Sequence, residues 1–171
     1  MKKTRRLIFS AMFLAMGMVL PFITGQIKEI GEMLLPMHIP VLLCGLVCGP
    51  WYGLVVGAVL PIFRNFIFSK PPYPIALWMA FELAAYGGVI GFLYQKGKKQ
   101  NTAYVYFCLI SAMIAGRLVW GVAKTILLGF GGKPFTFAMF ITEGFVNAVP
   151  GIILQLILIP AVMIIIKKKI K

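Results

Sequence analysis

LLPMHIPVLLCGLVCGPWYGLVVGAVLPIFR, residues 34–64, decides how the rest of the chain is read. It holds no Lys, Arg, Asp or Glu until Arg64, and its glycines fall at 45, 49, 53 and 57. On a helix that spacing keeps one face bare, so a second helix can approach backbone to backbone. Helices associate this way in lipid, where burying apolar surface gives little drive. Gly49-Pro50 interrupts the run, because proline cannot continue the hydrogen-bond ladder and disfavours helix in the residue before it. The stretch therefore predicts two helices joined by a very tight turn. The first, starting near Pro36 or His38, is too short to cross about 30 Å of hydrocarbon at about 1.5 Å per residue. It needs shelter from its neighbours or reaches only part of the way.

The composition agrees. Of 171 residues, 61% are hydrophobic and 12% charged, about half the charged fraction of a soluble domain. With a mean hydropathy of +0.96, the expected class is an all-α integral membrane protein forming a single domain over residues 1–171. A net charge of +13 could suggest nucleic acid, but the cations sit at the two ends and in one short loop, which argues against such a partner. Cys44, Cys48 and Cys108 lie in apolar runs without metal-ligand spacing and read as small buried fillers, so no metal is expected. Lys2, Lys3, Arg5 and Arg6 precede a run of full spanning length with no clean cleavage site, and they mark an uncleaved first helix.

Taken in order, the spans are expected at residues 7–24, 36–49, 51–68, 75–94, 103–128 and 137–166. The ends and the QKGKKQN loop at 95–101 hold four, three and four cations, whereas the opposite loops hold Lys28, Lys70 and Lys133. The positive-inside bias then puts both termini in the cytoplasm, with six transmembrane helices between them. A five-span arrangement would strand one basic terminus outside.

Charged side chains inside a bilayer cost roughly 2.5 to 3.5 kcal/mol each at mid-helix, so they mark cavities or buried pairs. Here they are Arg64, Glu82, Arg117, Lys124 and Glu143. Arg64 and Arg117 come about 20 Å up outward helices, and Glu82 and Glu143 about 10 Å down inward ones. All fall in the outer half, joined by His38 and Asn147. Arg117, Trp120, Gly121 and Lys124 share a helical face, as do Trp78, Glu82 and Tyr86, and Glu143 with Asn147. The inner halves are filled by aliphatic and small residues. The pattern describes a cup open to the outside with a closed floor, lined by His38, Arg64, Trp78, Glu82, Tyr86, Arg117, Trp120, Lys124, Glu143 and Asn147. Aromatics beside cations and hydrogen-bonding groups suit a small polar ligand. Because Arg64, Arg117 and Lys124 outnumber the two glutamates, a carboxylate-bearing ligand is expected.

Structural readings stand beside these. Glu82 with Arg117, or Glu143 with Arg64, would serve as pairs that lock helices. His38 would serve equally as a first-turn histidine bonded to backbone, and Trp120 and Lys124 as interfacial anchors. Small-residue stripes at Ala11 and Ala15 and at Ala76, Ala80, Ala84 and Gly88 suit helix packing or, near the cytoplasmic mouth, a partner subunit. No phosphate-binding loop, Gly-x-Ser-x-Gly or paired histidine is present, so no enzyme, catalytic residue or cofactor is expected.

The stretches GQIKEIGEMLLPMHIPVLLCG, GPWYGLVVGAVLP, MAFELAAYGGVIGFLY, AGRLVWG and FVNAVPGIILQLILIP, with the Ala-x-x-x-Ala face at Ala11 and Ala15, resemble the substrate-binding S component of energy-coupling factor (ECF) transporters. The similarity covers nearly the whole chain and looks most like the pantothenate-assigned branch, with cobalamin-precursor and queuosine-precursor proteins close in pattern. The resemblance implies a multi-pass protein of the bacterial cell membrane that captures a vitamin from outside. It implies association with a transmembrane coupling subunit and two ATPases, and toppling in the bilayer to release the vitamin. Ala11 and Ala15 match the family's docking motif for the coupling subunit, and residues 25–35 and 69–74 would act as lids. The family has no fixed pocket motif, so the pocket residues rest on the depth argument.

Two other classes compete. A stand-alone secondary carrier of a small anionic metabolite would place its binding charges near the midplane between internal repeats, and neither feature is found in the sequence. An assembly subunit of a larger membrane complex would retain no small molecule.

Overall fold

The computed structural model describes residues 2–23, 33–97, 101–130 and 135–170. Most of the expected first outer loop, the loop carrying Lys133, and Lys98, Lys99 and Lys171 lie outside these residues. Among the described residues the fold is all helical. It comprises α1 (Lys3–Ile23), α2 (His38–Cys48), α3 (Pro50–Phe68), α4 (Ile75–Lys96), α5 (Thr102–Phe130), α6 (Phe137–Ile141) and α7 (Val149–Ile170). Five are long and apolar enough to cross a membrane, namely α1, α3, α4, α5 and α7.

The hairpin expected at Gly49-Pro50 is present. Gly49 holds φ 104°, a conformation open to glycine but strained for other residues, and its N–H donates to the Gly45 carbonyl at 3.1 Å to close α2. Pro50 then opens α3, where a missing N–H costs nothing. At about 1.5 Å per residue α2 is far shorter than a bilayer, and ten of its eleven residues are buried. The shelter comes from α1, α3, α4 and α7, all of which pack on it.

The glycine stripe receives α4. A β-carbon placed on Gly53 would fall 2.7 Å from the Gly45 α-carbon and 2.8 Å from the Gly87 carbonyl carbon. One placed on Gly91 would fall 2.7 Å from the α-carbon of Pro50. Both arms of the hairpin therefore press on one backbone. On α4 the contact is made by Gly87, Gly91 and the backbone of Leu83 and Ala84, on which Gly57 packs, whereas Gly88, expected in the small-residue stripe, meets only the Leu54 side chain at 3.4 Å. The α4 helix also packs on α5, which in turn packs on α7. This places α2 at the centre and brings the start of α2, the first half of α4 and the second half of α5 together.

The segment 137–166, expected as one span, is divided. After α6 the chain forms a π-helical turn, Thr142–Val146, in which Asn147 N–H donates to the Thr142 carbonyl at 2.9 Å, and α7 starts only at Val149. Pro150 supplies the cause, since it offers no N–H to the preceding turn. The wider ring is the local solution.

Candidate functional site

Near the start of α2, the His38 ring is only 1% exposed. Its Nε2 lies 3.3 Å from Glu82 Oε1 on α4, and its ring meets Tyr86 edge-on with centroids 4.9 Å apart. From α5, Arg117 Nη1 donates to the same Glu82 oxygen at 2.8 Å. Tyr86 fits because Gly116, beside Arg117, leaves its ring space that any β-carbon would occupy. Nε2 of His38 is thus placed to donate to the carboxylate, which leaves Nδ1 of a neutral ring as an acceptor. Burial of a carboxylate is tolerable only with such pairing.

Beyond Arg117 along α5, the Lys124 ammonium lies 4.8 Å from the ring centroids of both Trp120 and Phe135 and 5.6 Å from that of Trp78. It donates to Glu143 Oε2 in the π-helical turn. The turn seats closely on α5, since a β-carbon on Gly144 would lie 3.3 Å from the Trp120 ring and 4.0 Å from Arg117 Cδ. The aromatic faces and the carboxylate replace the hydration that a buried ammonium gives up.

Of the residues expected to line the cup, His38, Trp78, Glu82, Tyr86, Arg117, Trp120, Lys124 and Glu143 form two adjoining groups along α5. Arg64 is elsewhere. It is buried between α1 and α3, where Nη1 donates to the Met18 carbonyl and the guanidinium lies 5.0 Å from the Phe22 ring and 5.3 Å from Phe68. Glu143 therefore pairs with Lys124 and not with Arg64. Asn147 is exposed, and only its backbone takes part in the turn. Without Arg64 the layer is balanced, with Arg117 and Lys124 against Glu82 and Glu143. The cation excess that suggested an anionic ligand is thus absent from it. The group around Glu82 is also closed over, with His38, Glu82 and Arg117 exposing 1%, 2% and 4% of their surfaces. This part of the expected open cup is occluded, whereas Glu143 stays 40% exposed.

What distinguishes Arg117 is the edge that Glu82 does not use. Nε and Nη2 are buried and make no hydrogen bond among the described residues. Together they form the side-on fork of the guanidinium, two parallel donors spaced to match a carboxylate.

Residues 5–163 match the protein family described as ECF transporter, substrate-specific component. The chain belongs to that family. This S component is accordingly a multi-pass membrane protein and a transporter subunit, not an enzyme, and it works with an ECF module and a small substrate. No match was found to a curated protein or to a solved structure.

Three residues of the S component escaped the sequence reading. Phe135 completes the aromatic enclosure of Lys124, and Gly144 lets the π-helical turn approach Arg117. Gln155, in the first half of α7, is 0% exposed with neither amide atom hydrogen-bonded among the described residues. A signal for it existed: a lone glutamine in the apolar run GIILQLILIP is a costly residue by the same rule applied to the charges.

Proposed function

We propose that this S component captures a small carboxylic acid, pantothenate, from the exterior face and passes it to the cytoplasm through its ECF module. The observation that carries this reading is the buried side-on edge of Arg117. Glu82 holds Nη1 and fixes the plane of the guanidinium, so Nε and Nη2 stay aligned for an incoming carboxylate. Preorganised donors in a dry site bind more strongly than mobile ones, since little ordering remains to be done on binding. Lys124 offers a second cation whose partner, Glu143, is 40% exposed and free to exchange it for a ligand oxygen.

In this reading the chain makes six spans, with α2 as a sheltered short one and α6 to α7 as an interrupted one, the layer on the exterior side and both termini in the cytoplasm. The cation distribution supports that orientation. Ala11 and Ala15 are exposed on α1, whose other face is buried through Ser10, Phe13, Gly17 and Pro21. This leaves the small-residue face free for the transmembrane coupling subunit, which two ATPases would drive.

Mass spectrometry of small molecules extracted from the purified chain tests the reading. Pantothenate is expected from the parent protein and none from Arg117→Ala, with both folded by circular dichroism. Undiminished pantothenate in Arg117→Ala, or recovery of a cobalamin or queuosine precursor from the parent, overturns it.

A further inference from the structure

Gln155 stands apart from the pairs described above. It is fully buried, it carries both a donor and an acceptor, and neither has a partner among the described residues. Buried amides nearly always find hydrogen bonds, because leaving one unpaired forfeits its hydration for nothing. Its surroundings are set by α7, which packs chiefly on α5 and α2, the helices that carry Arg117 and His38. One turn before it, Gly151 fits against the backbone of Met33 and Leu34, where a β-carbon would lie 2.5 Å from the Met33 carbonyl oxygen. Gln155 stands four residues, about 6 Å, further along α7, and the Gly151 contact sets the first turn of α7 beside the segment that leads into His38. His38 Nδ1 is likewise buried and has no hydrogen-bond partner among the described residues.

We infer that Gln155, with His38 Nδ1, recognises a neutral hydrogen-bonding group of the substrate, an amide or hydroxyl, while the Arg117 edge holds its carboxylate. The inference rests on the carboxylate reading above and adds to it the residues that read the uncharged part of the acid. A simple aliphatic acid would leave Gln155 unpaired in the complex and bind weakly, since sites built to hydrogen-bond a group reject analogues that lack it.

The test uses the full chain in lipid nanodiscs, titrated calorimetrically with pantothenate and with pantothenol, which keeps the amide and hydroxyls but lacks the carboxylate. Gln155→Leu and, with an unbranched side chain, Gln155→Met are expected to weaken both probes by about ten- to a hundredfold, leaving their affinity ratio unchanged. Arg117→Ala is expected to bring that ratio to one. Thermal unfolding without ligand supplies the readout that a structural glutamine would not give. Removing two unpaired buried polar atoms should raise the melting temperature of the Gln155 variants even as they lose affinity.

Unchanged affinity in both Gln155 variants, with the Arg117 effect intact, overturns the inference and spares the carboxylate reading. A fall in melting temperature together with affinity overturns it too, since Gln155 would then be holding the fold. Equal binding of the two probes by the parent chain, weakened in the Gln155 variants, supports Gln155 and removes the carboxylate. A parent chain that binds neither probe ends both.

Discussion

The Glu82 carboxylate is the residue on which the layer turns. One oxygen takes His38 and Arg117 together, so Glu82 ties α2, α4 and α5 at a single point. Glu82→Leu leaves a buried guanidinium without its counter-charge, and a loss of about 3–5 kcal/mol is expected. Adding Arg117→Met replaces the pair by apolar groups of similar size and should recover the larger part of that loss, leaving the His38 hydrogen bond as the remaining deficit. Chemical unfolding in detergent measures both, and a double variant no more stable than Glu82→Leu would refute the pairing. The sequence already marked these residues as expensive and offered Glu82 with Arg117, and Glu143 with Arg64, as pairs. Only the first of these forms, because depth along a helix axis is one coordinate and rotation about it is another. Arg64 illustrates the difference: its depth resembled that of Arg117, yet its azimuth on α3 turns it toward the Met18 carbonyl and two rings.

Among the elements, α1 has the clearest division of labour. Gly17 lets the Leu60 side chain of α3 come so close that a β-carbon would lie 2.9 Å from Leu60 Cδ1, and Phe13 joins the core. Ala11 and Ala15 face away. Replacing both with Trp should therefore stop uptake of pantothenate in cells carrying the complete transporter while binding by the isolated chain stays at the parent level. Retained uptake would exclude this face from coupling, and loss of binding as well would show that the first helix had been displaced. The α2–α3 hairpin was legible in sequence because proline and glycine act locally, on the ladder and on φ. The partition of residues 137–166 was less so. Pro150 marks an interruption, but widening the preceding turn to a π-helix, rather than a simple kink, depends on how Gly144 seats against Trp120.

For the whole molecule, the proposed orientation makes an accessibility prediction. Lys70 and Lys96 are both exposed, one before α4 and one at its end. In intact cells a membrane-impermeant maleimide should label Lys70→Cys and leave Lys96→Cys unlabelled until the cells are permeabilised. The native Cys44, Cys48 and Cys108 are buried and should contribute little background. The reverse pattern would invert the molecule and put the Arg117 layer on the cytoplasmic side. The amino-acid sequence by itself determined the membrane class, the hairpin turn and the crowding of costly side chains toward one end of the helices, since hydropathy, glycine spacing and the energy of a charge in lipid are properties of short segments. Only the tertiary structure decided that Lys124 takes Glu143, that Arg64 stands apart, that the group around Glu82 is closed over and that Gln155 is buried without a partner among the described residues. Each depends on the rotation and contact of helices distant in the chain, which backbone packing at Gly45, Gly53 and Gly87 sets and no local pattern encodes.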